Sequence, residues 1–177
     1  MSRFAGSGNG PRLARRRRFE WHLRRVLPWL GRHVEDPNPN AMALVAVETF
    51  VRPLPMRMAE YAAWCAGSLR GSPWLETLSV GPAQIQLANW RRLGAIPDVR
   101  FTPARFRRVR DRRSSYRVCL ELLAEGGLAN SPSAAALARC YTGAAETPYV
   151  DLLENARVRA VAHLARLGAR RGGMLES

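Results

Sequence analysis

One carboxylate in this sequence stands where chemistry could be asked of it. Glu48 lies near the end of Ala41-Met-Ala-Leu-Val-Ala-Val-Glu-Thr-Phe-Val51, a run that is apolar almost all round. A helix of that composition is buried in the middle of a domain. A carboxyl carried in with it is desolvated, which favours the neutral form and raises its pKa, and an acid kept protonated near neutral pH can serve as a general acid. The competing reading is an ion pair with Arg52 or Arg57, the helix end merely reaching the surface; on Glu48 alone that reading is the stronger.

Other reactive side chains offer less. His22, His33 and His163 lie far apart with no metal-ligand spacing, and Cys65, Cys119 and Cys140 form no CxxC pair, so neither a zinc site nor any other metal or cofactor is expected. Each thiol falls in an apolar helical context, where it behaves as a small hydrophobe; three buried free cysteines are expected, as suits a reducing compartment.

These groups have to be positioned by helices. Residues 1–11 are Gly/Ser-rich and read as a disordered tail, followed by a basic helix within 12–34 that carries Phe19, Leu23, Val26 and Leu30 at helical spacing and that Pro28 should kink or shorten. The cluster Asp36-Pro-Asn-Pro-Asn40 is a turn ending in Asn40 as the N-cap of the apolar helix. A further helix is expected over Met56–Leu69, then extended or turn structure with a short hairpin around 74–85, and another helix after it. Thr102-Pro103 should open one long helix to about Ala124. Ser131-Pro-Ser133 should cap a short helix through Cys140, and Thr147-Pro148 should start a last helix ending near Gly168, with 169–177 as a flexible tail. The fold class is therefore mostly α, one helical domain with at most a short β-hairpin.

Composition narrows the alternatives. The chain has 177 residues and a net charge of +14, and every one of its 28 basic residues is arginine. With 47% hydrophobic residues it is not a wholly disordered chain, and no stretch approaches the roughly 18 to 20 apolar residues that span a bilayer. The charge is concentrated: residues 1–34 hold nine Arg and one acid, and residues 91–117 hold ten Arg and two acids, so each segment carries +8. Residues 35–90 (−2) and 118–177 (0) are close to neutral. Two such blocks are either solvated helix faces or a grip on a polyanion.

Four short segments occur in a telling order: the Glu48 helix, Ser79-Val-Gly-Pro-Ala-Gln-Ile85, Ala138-Arg-Cys-Tyr-Thr-Gly143, and Glu146-Thr-Pro-Tyr-Val150. This order resembles the lysozyme-like superfamily, especially soluble lytic transglycosylases and goose-type lysozymes, over roughly residues 38–165. In that family a buried helix presents the catalytic Glu, a Gly-Leu-Met-Gln type turn follows, and an Ala-x-x-Tyr-Asn-x-Gly segment comes later. The chain departs from the pattern twice. About thirty residues separate Glu48 from Gly81, which makes Met56–Leu69 an inserted helix, and Thr142 stands where the family has Asn, keeping a hydroxyl and losing an amide.

The resemblance implies that residues 35–168 form a lysozyme-like catalytic domain cutting the β-1,4 bond between N-acetylmuramic acid and N-acetylglucosamine in peptidoglycan. Glu48 would be the acid. Ser79 and Gln84 would hold acetamido or hydroxyl groups, Tyr141 would orient Glu48 or the sugar unless it is simply a core aromatic, and Thr142 would occupy the departed Asn's place. A hydrolase needs a second carboxylate within about 5 to 10 Å. Glu60 and Glu76 are the candidates, with Glu60 better read as the i,i+3 partner of Arg57. A single-Glu lytic transglycosylase is therefore favoured over a muramidase. Trp74 and Trp90 flank the segment and either stack on sugars or belong to the core.

Two rival readings stay open: an arginine-rich helical nucleic-acid-binding protein, using Arg15–Arg18 and the run Arg105 to Arg113, or a catalytically inactive lysozyme-like structural domain. The arginine segments would also suit an anionic wall polymer or a membrane surface. Trp21–Leu30 is interrupted by His22, Arg24 and Arg25, so no ordinary secretory signal is expected. Synthesis in the cytoplasm and action at the cell wall by a non-Sec route follow from that reading.

Overall fold

The computed structural model describes residues 10–131, 133–143 and 145–172, with side chains from 14 to 169 apart from those breaks. Within them, eight α-helices and a two-stranded antiparallel sheet make a mostly helical fold. The helices are α1 (Gly10–His33), α2 (Pro39–Val51), α3 (Leu54–Leu69), α4 (Leu87–Arg92), α5 (Pro103–Arg110), α6 (Arg112–Glu125), α7 (Ala134–Thr142) and α8 (Thr147–Gly172). A 3-10 helix, Pro73–Thr77, precedes the hairpin of β1 (Ser79–Val80) and β2 (Ile85–Gln86). No helix among the described residues is long and apolar enough to cross a membrane.

Helix α2 is the axle. Every residue from Asn40 to Thr49 is buried, because α1, α6 and above all α8 pack around it, as its all-round apolar surface requires. α1 contributes Phe19, Leu23, Val26, Leu27 and Leu30 to that core; the i, i+3, i+4 spacing puts them on one face. Leu153, Ala156 and Ala160 do the same for α8.

Several boundaries differ from the expected ones. Gly10 and Pro11 already belong to α1, while residues 1–9 of the expected tail lie outside the described residues. α1 runs on through Pro28 to His33; Leu27 and Leu30 anchor that turn in the core, and the Arg32 and His33 side chains reach the Pro28 and Trp29 carbonyls at 3.1 and 2.8 Å. The N-cap of α2 is Asn38, not Asn40: its side-chain oxygen accepts from the Asn40 and Ala41 amides, and Pro39 occupies the first turn. The expected helix 102–124 is two helices. Asp111 leaves helical geometry (φ −69°, ψ 128°) and caps α6 by accepting from the Ser114 amide at 2.8 Å, since an Asp cap competes with continuation of the helix. At the other end α8 extends to Gly172, four residues past Gly168; residues 173–177 lie outside the described set.

The cysteines also differ from expectation. Cys119 is buried, but Cys65 is half-buried and Cys140 exposed, because the faces of α3 and α7 that carry the latter two do not turn fully inward.

The hairpin turn Gly81-Pro-Ala-Gln84 is buried throughout, although connecting turns normally ride the surface. Gly81 has φ +82°, and a Cβ there would lie 2.6 Å from the Val109 carbonyl oxygen; only glycine lets the turn press this close to α5. Ser115 Oγ donates to the same carbonyl at 3.2 Å.

Candidate active site

The C-terminal end of α2 gathers five polar side chains from four elements. Glu48, 5% exposed, accepts a 2.6 Å hydrogen bond at Oε1 from the Tyr149 hydroxyl of α8. Arg52, the C-cap of α2, lies 2.7 Å from Glu60 Oε1 on α3. Gln84 donates from Nε2 to Glu60 Oε2 at 2.8 Å and to the Gly81 carbonyl at 3.1 Å. The cluster thus joins the buried helix, the helix after it, the buried turn and the start of α8.

Burial raises the pKa of Glu48; the Tyr149 hydrogen bond and the positive charge of Arg52 oppose the rise, and the Glu60 carboxylate adds to it. Tyr149 is pushed far up by burial and by the neighbouring carboxylate, so its hydroxyl is a fixed donor. Neither ion pair considered for Glu48 forms: Arg52 turns to Glu60, and Arg57 makes no ion pair among the described residues. Glu60 likewise does not pair with Arg57. Its two oxygens are taken by Arg52 and Gln84, charge-assisted bonds from outside its helix that outweigh an i,i+3 neighbour.

Gln84 is 7% exposed and sits at φ +53°, the only non-glycine residue with positive φ among those described. Both partners of Nε2 are acceptors, which fixes the amide orientation and leaves Oε1 buried with no hydrogen bond. A buried acceptor without a donor costs about 1–3 kcal/mol, and left-handed backbone at a residue other than glycine is a further cost concentrated at functional sites.

Tyr141 makes no hydrogen bond to Glu48. Its hydroxyl donates to the Ala83 carbonyl and clamps the turn that carries Gln84. Burial raises its pKa, and it pushes the adjacent Cys119 thiol up to about 12. Ser79 lies on β1 opposite Gln86, half-exposed and with no hydrogen bond to the cluster. Thr142 is exposed, its hydroxyl donating to the Ala138 carbonyl of its own helix at 3.0 Å. Glu76 pairs with Arg91 at 2.6 Å, outside the cluster. Trp90 is fully buried and belongs to the core, which removes it as a sugar platform; Trp74 is 44% exposed.

The residue that sequence reasoning missed is Tyr149. Its position just after Thr147-Pro148 opens α8, and the start of α8 meets the end of α2 because the two helices pack along their length. A second polar contact lies one turn away: His22 Nε2 is 3.0 Å from both the Ala46 carbonyl and Thr49 Oγ1. Since the Thr49 hydroxyl donates to the Val45 carbonyl, His22 is the donor. Burial lowers the His22 pKa, the Ala46 carbonyl opposes this, and Arg112, Arg57 and Arg25 lower it further.

A cleft of about 660 Å³ exists elsewhere, near the start of α2, with His33, Asp36, Arg108, Arg113, Tyr116 and Glu121 among its walls; it does not include Glu48. Among the described residues no group of three or more His, Cys, Asp or Glu could hold a metal ion. No protein-family model, curated protein or solved structure matches the chain.

Proposed function

We propose that this protein is a peptidoglycan-cleaving glycosidase of the lytic transglycosylase type, with Glu48 as its single acid–base residue. The observation that carries the proposal is the state of Glu48: a carboxyl on a fully buried helix, its pKa raised by burial, with Oε1 occupied by Tyr149 and Oε2 without a partner among the described residues. With Oε1 held as an acceptor, the proton of the neutral acid resides on Oε2, the oxygen free to deliver it. Glu48 then protonates the glycosidic oxygen as the C1–O bond breaks. The resulting carboxylate takes the proton from the sugar's 6-hydroxyl, whose oxygen bonds C1 and closes a 1,6-anhydro ring.

The single-carboxylate route is supported by Glu60, whose oxygens are both engaged by Arg52 and Gln84 and which lacks a free face to act as nucleophile or base. Gln84 Oε1, buried and unmet, is suited to accept from an acetamido N–H or a hydroxyl of the glycan. Tyr141 acts at one remove, fixing that turn.

The test is Glu48→Gln on purified sacculi. Release of soluble muropeptides is expected to fall by roughly 10²- to 10⁴-fold, the usual worth of a positioned general acid, and wild-type products should be one water lighter than hydrolysed ends. If the wild-type protein releases nothing from sacculi and instead retards DNA with a steep salt dependence, the enzyme reading fails.

A further inference from the structure

The two arginine-rich segments meet at Trp29, and a chain of ring contacts runs from there to the helix that carries Glu60. Arg25 stacks over Trp21 at 4.6 Å and lies one helical turn before Trp29, so the two share a face of α1. Arg112, from the start of α6, lies 5.3 Å over the Trp29 ring. Two residues earlier Arg110 lies 5.5 Å over Phe106, whose ring meets Tyr61 edge-on at 4.9 Å. Tyr61 follows Glu60 directly on α3 and lies one turn after Arg57.

Four guanidinium groups from α1, α3, α5 and α6 therefore lie along a chain of contacts that reaches Tyr61, next to Glu60 on α3. Among the described residues none of them forms an ion pair, and Arg57 Nε is buried without a hydrogen bond. The nearest carboxylate in sequence, Asp111, is committed to capping α6. The electrostatics agree, since the positive charges of Arg112, Arg57 and Arg25 all bear on His22. Unpaired arginines held against aromatic rings are preorganised for bidentate capture of carboxylates.

We propose that Arg25, Arg57, Arg110 and Arg112 form one anion-binding strip that grips carboxylate groups borne by the glycan strand held at Glu48. This inference rests on the glycan-cleaving reading. It makes the substrate a strand with acidic side groups, such as stem-peptide carboxylates, and makes charge on the substrate a requirement for binding rather than decoration.

The test uses the full chain carrying Glu48→Gln, so that binding is read without cleavage, and purified sacculi freed of accessory polymers. Cosedimentation affinity is expected to drop about tenfold or more between roughly 50 and 200 mM salt, as for other multi-arginine contacts with a polyanion. Adding Arg25→Gln, Arg110→Gln and Arg112→Gln, all exposed positions, should weaken binding by a similar factor. The equally charged change of Arg70, Arg139 and Arg166 to Gln, exposed positions at the C-cap of α3, on α7 and on α8, should weaken it by less than about threefold, since those residues lie off the strip. Sacculi whose carboxylates have been amidated should bind the parent protein as poorly as untreated sacculi bind the strip variant.

Binding within twofold for the strip variant, or indifference to amidation, overturns the strip. So does a strip variant that loses retention of duplex DNA while sacculus binding is unchanged, which would assign the arginines to nucleic acid. The two readings fail separately. Strip-dependent, amidation-sensitive binding by a protein whose wild-type form releases no muropeptide sinks the cleavage reading alone; normal release with charge-insensitive binding sinks the strip alone.

Discussion

The two ends of α2 carry polar clusters of similar size at similar depth, and they differ in one respect. At the start, Asn38 caps the helix, its amide donates to the Tyr116 hydroxyl at 2.5 Å, and that hydroxyl donates to the Asp36 carbonyl at 2.7 Å. The Asn40 amide reaches the Leu128, Ala129 and Ser131 carbonyls at 2.9–3.1 Å, tying down the loop between α6 and α7. No side-chain atom of that group is buried without a hydrogen bond. At the other end, Glu48 Oε2 and Gln84 Oε1 lack partners, a carboxyl is held out of water, and Gln84 sits in left-handed backbone. A fully satisfied buried network stabilises and specifies a fold, whereas unmet groups and strain cost stability and are retained where something else is gained. One end of the helix builds the protein; the other holds the groups on which the proposed chemistry rests.

The sharpest break of that comparison is Glu48→Gln against Asn40→Ala, each scored for both activity and stability. Glu48→Gln should abolish muropeptide release while leaving the protein folded. Its stability should also respond to pH in a defined direction. A carboxyl whose folded pKa is raised binds its proton more tightly in the native state, so its stabilising contribution is full below the ordinary glutamate range and is lost as pH rises through the folded value. Urea unfolding of wild type and Glu48→Gln from pH 4 to 8 should show the variant gaining on the wild type as pH rises. A flat difference would mean that Glu48 is an ordinary solvated carboxylate, and one that moves the other way that the fold stabilises its charged form.

Asn40→Ala comes next in size. It strips the donors from three loop carbonyls and leaves a small hole, which should cost roughly 2–4 kcal/mol and lower Tm by about 4–16 °C for a chain of this length. Release per folded molecule should be unchanged. A large loss of specific activity with little loss of Tm would reverse the roles assigned to the two ends.

Much of this contrast was readable before any coordinates. The run from Ala41 to Val51 has no polar face, so a central buried helix follows from composition; that composition alone favours an ion-paired Glu48 at the surface, and only the family resemblance puts Gln84 near it. What was not readable depended on tertiary choice. The sequence offers Tyr141 for Glu48, but Tyr149 is the one that arrives, because α8 lies along α2 while α7 turns its tyrosine to the Ala83 carbonyl. Glu60 was assigned to Arg57 by helical spacing, a preference worth a few tenths of a kcal/mol, and lost to bonds from Arg52 and Gln84 that no local rule contains. Asp111 was read as one more residue of a long helix because its capping preference shows only when the chain must turn there to meet the hairpin.

Tyr149→Phe sharpens the comparison by changing a single hydrogen bond. The hydroxyl lowers the Glu48 pKa against the pull of burial, so removing it should raise that pKa and carry the alkaline limb of the release profile to higher pH. Tyr141→Phe, which unclamps the Ala83 carbonyl instead, should leave the alkaline limb in place. If both substitutions moved the limb equally, the shift would reflect general loosening of the turn and not the bond to Glu48.

The smallest expected effect settles how many carboxylates the chemistry uses. Glu76 and Arg91 are each 46% exposed and 2.6 Å apart, and an exposed pair of this kind contributes about 0–1 kcal/mol. Glu76→Gln should therefore shift Tm by no more than about 4 °C and leave both release and the ratio of anhydro to hydrolysed ends unchanged. A fall in release comparable to that of Glu48→Gln, with Tm intact, would bring a second carboxylate into the reaction and turn the proposed transglycosylase into a hydrolase. Because Glu60 is held by Arg52 and Gln84, Glu76 is the one remaining sequence candidate for that role, and an unchanged product ratio leaves the acid and base work to Glu48.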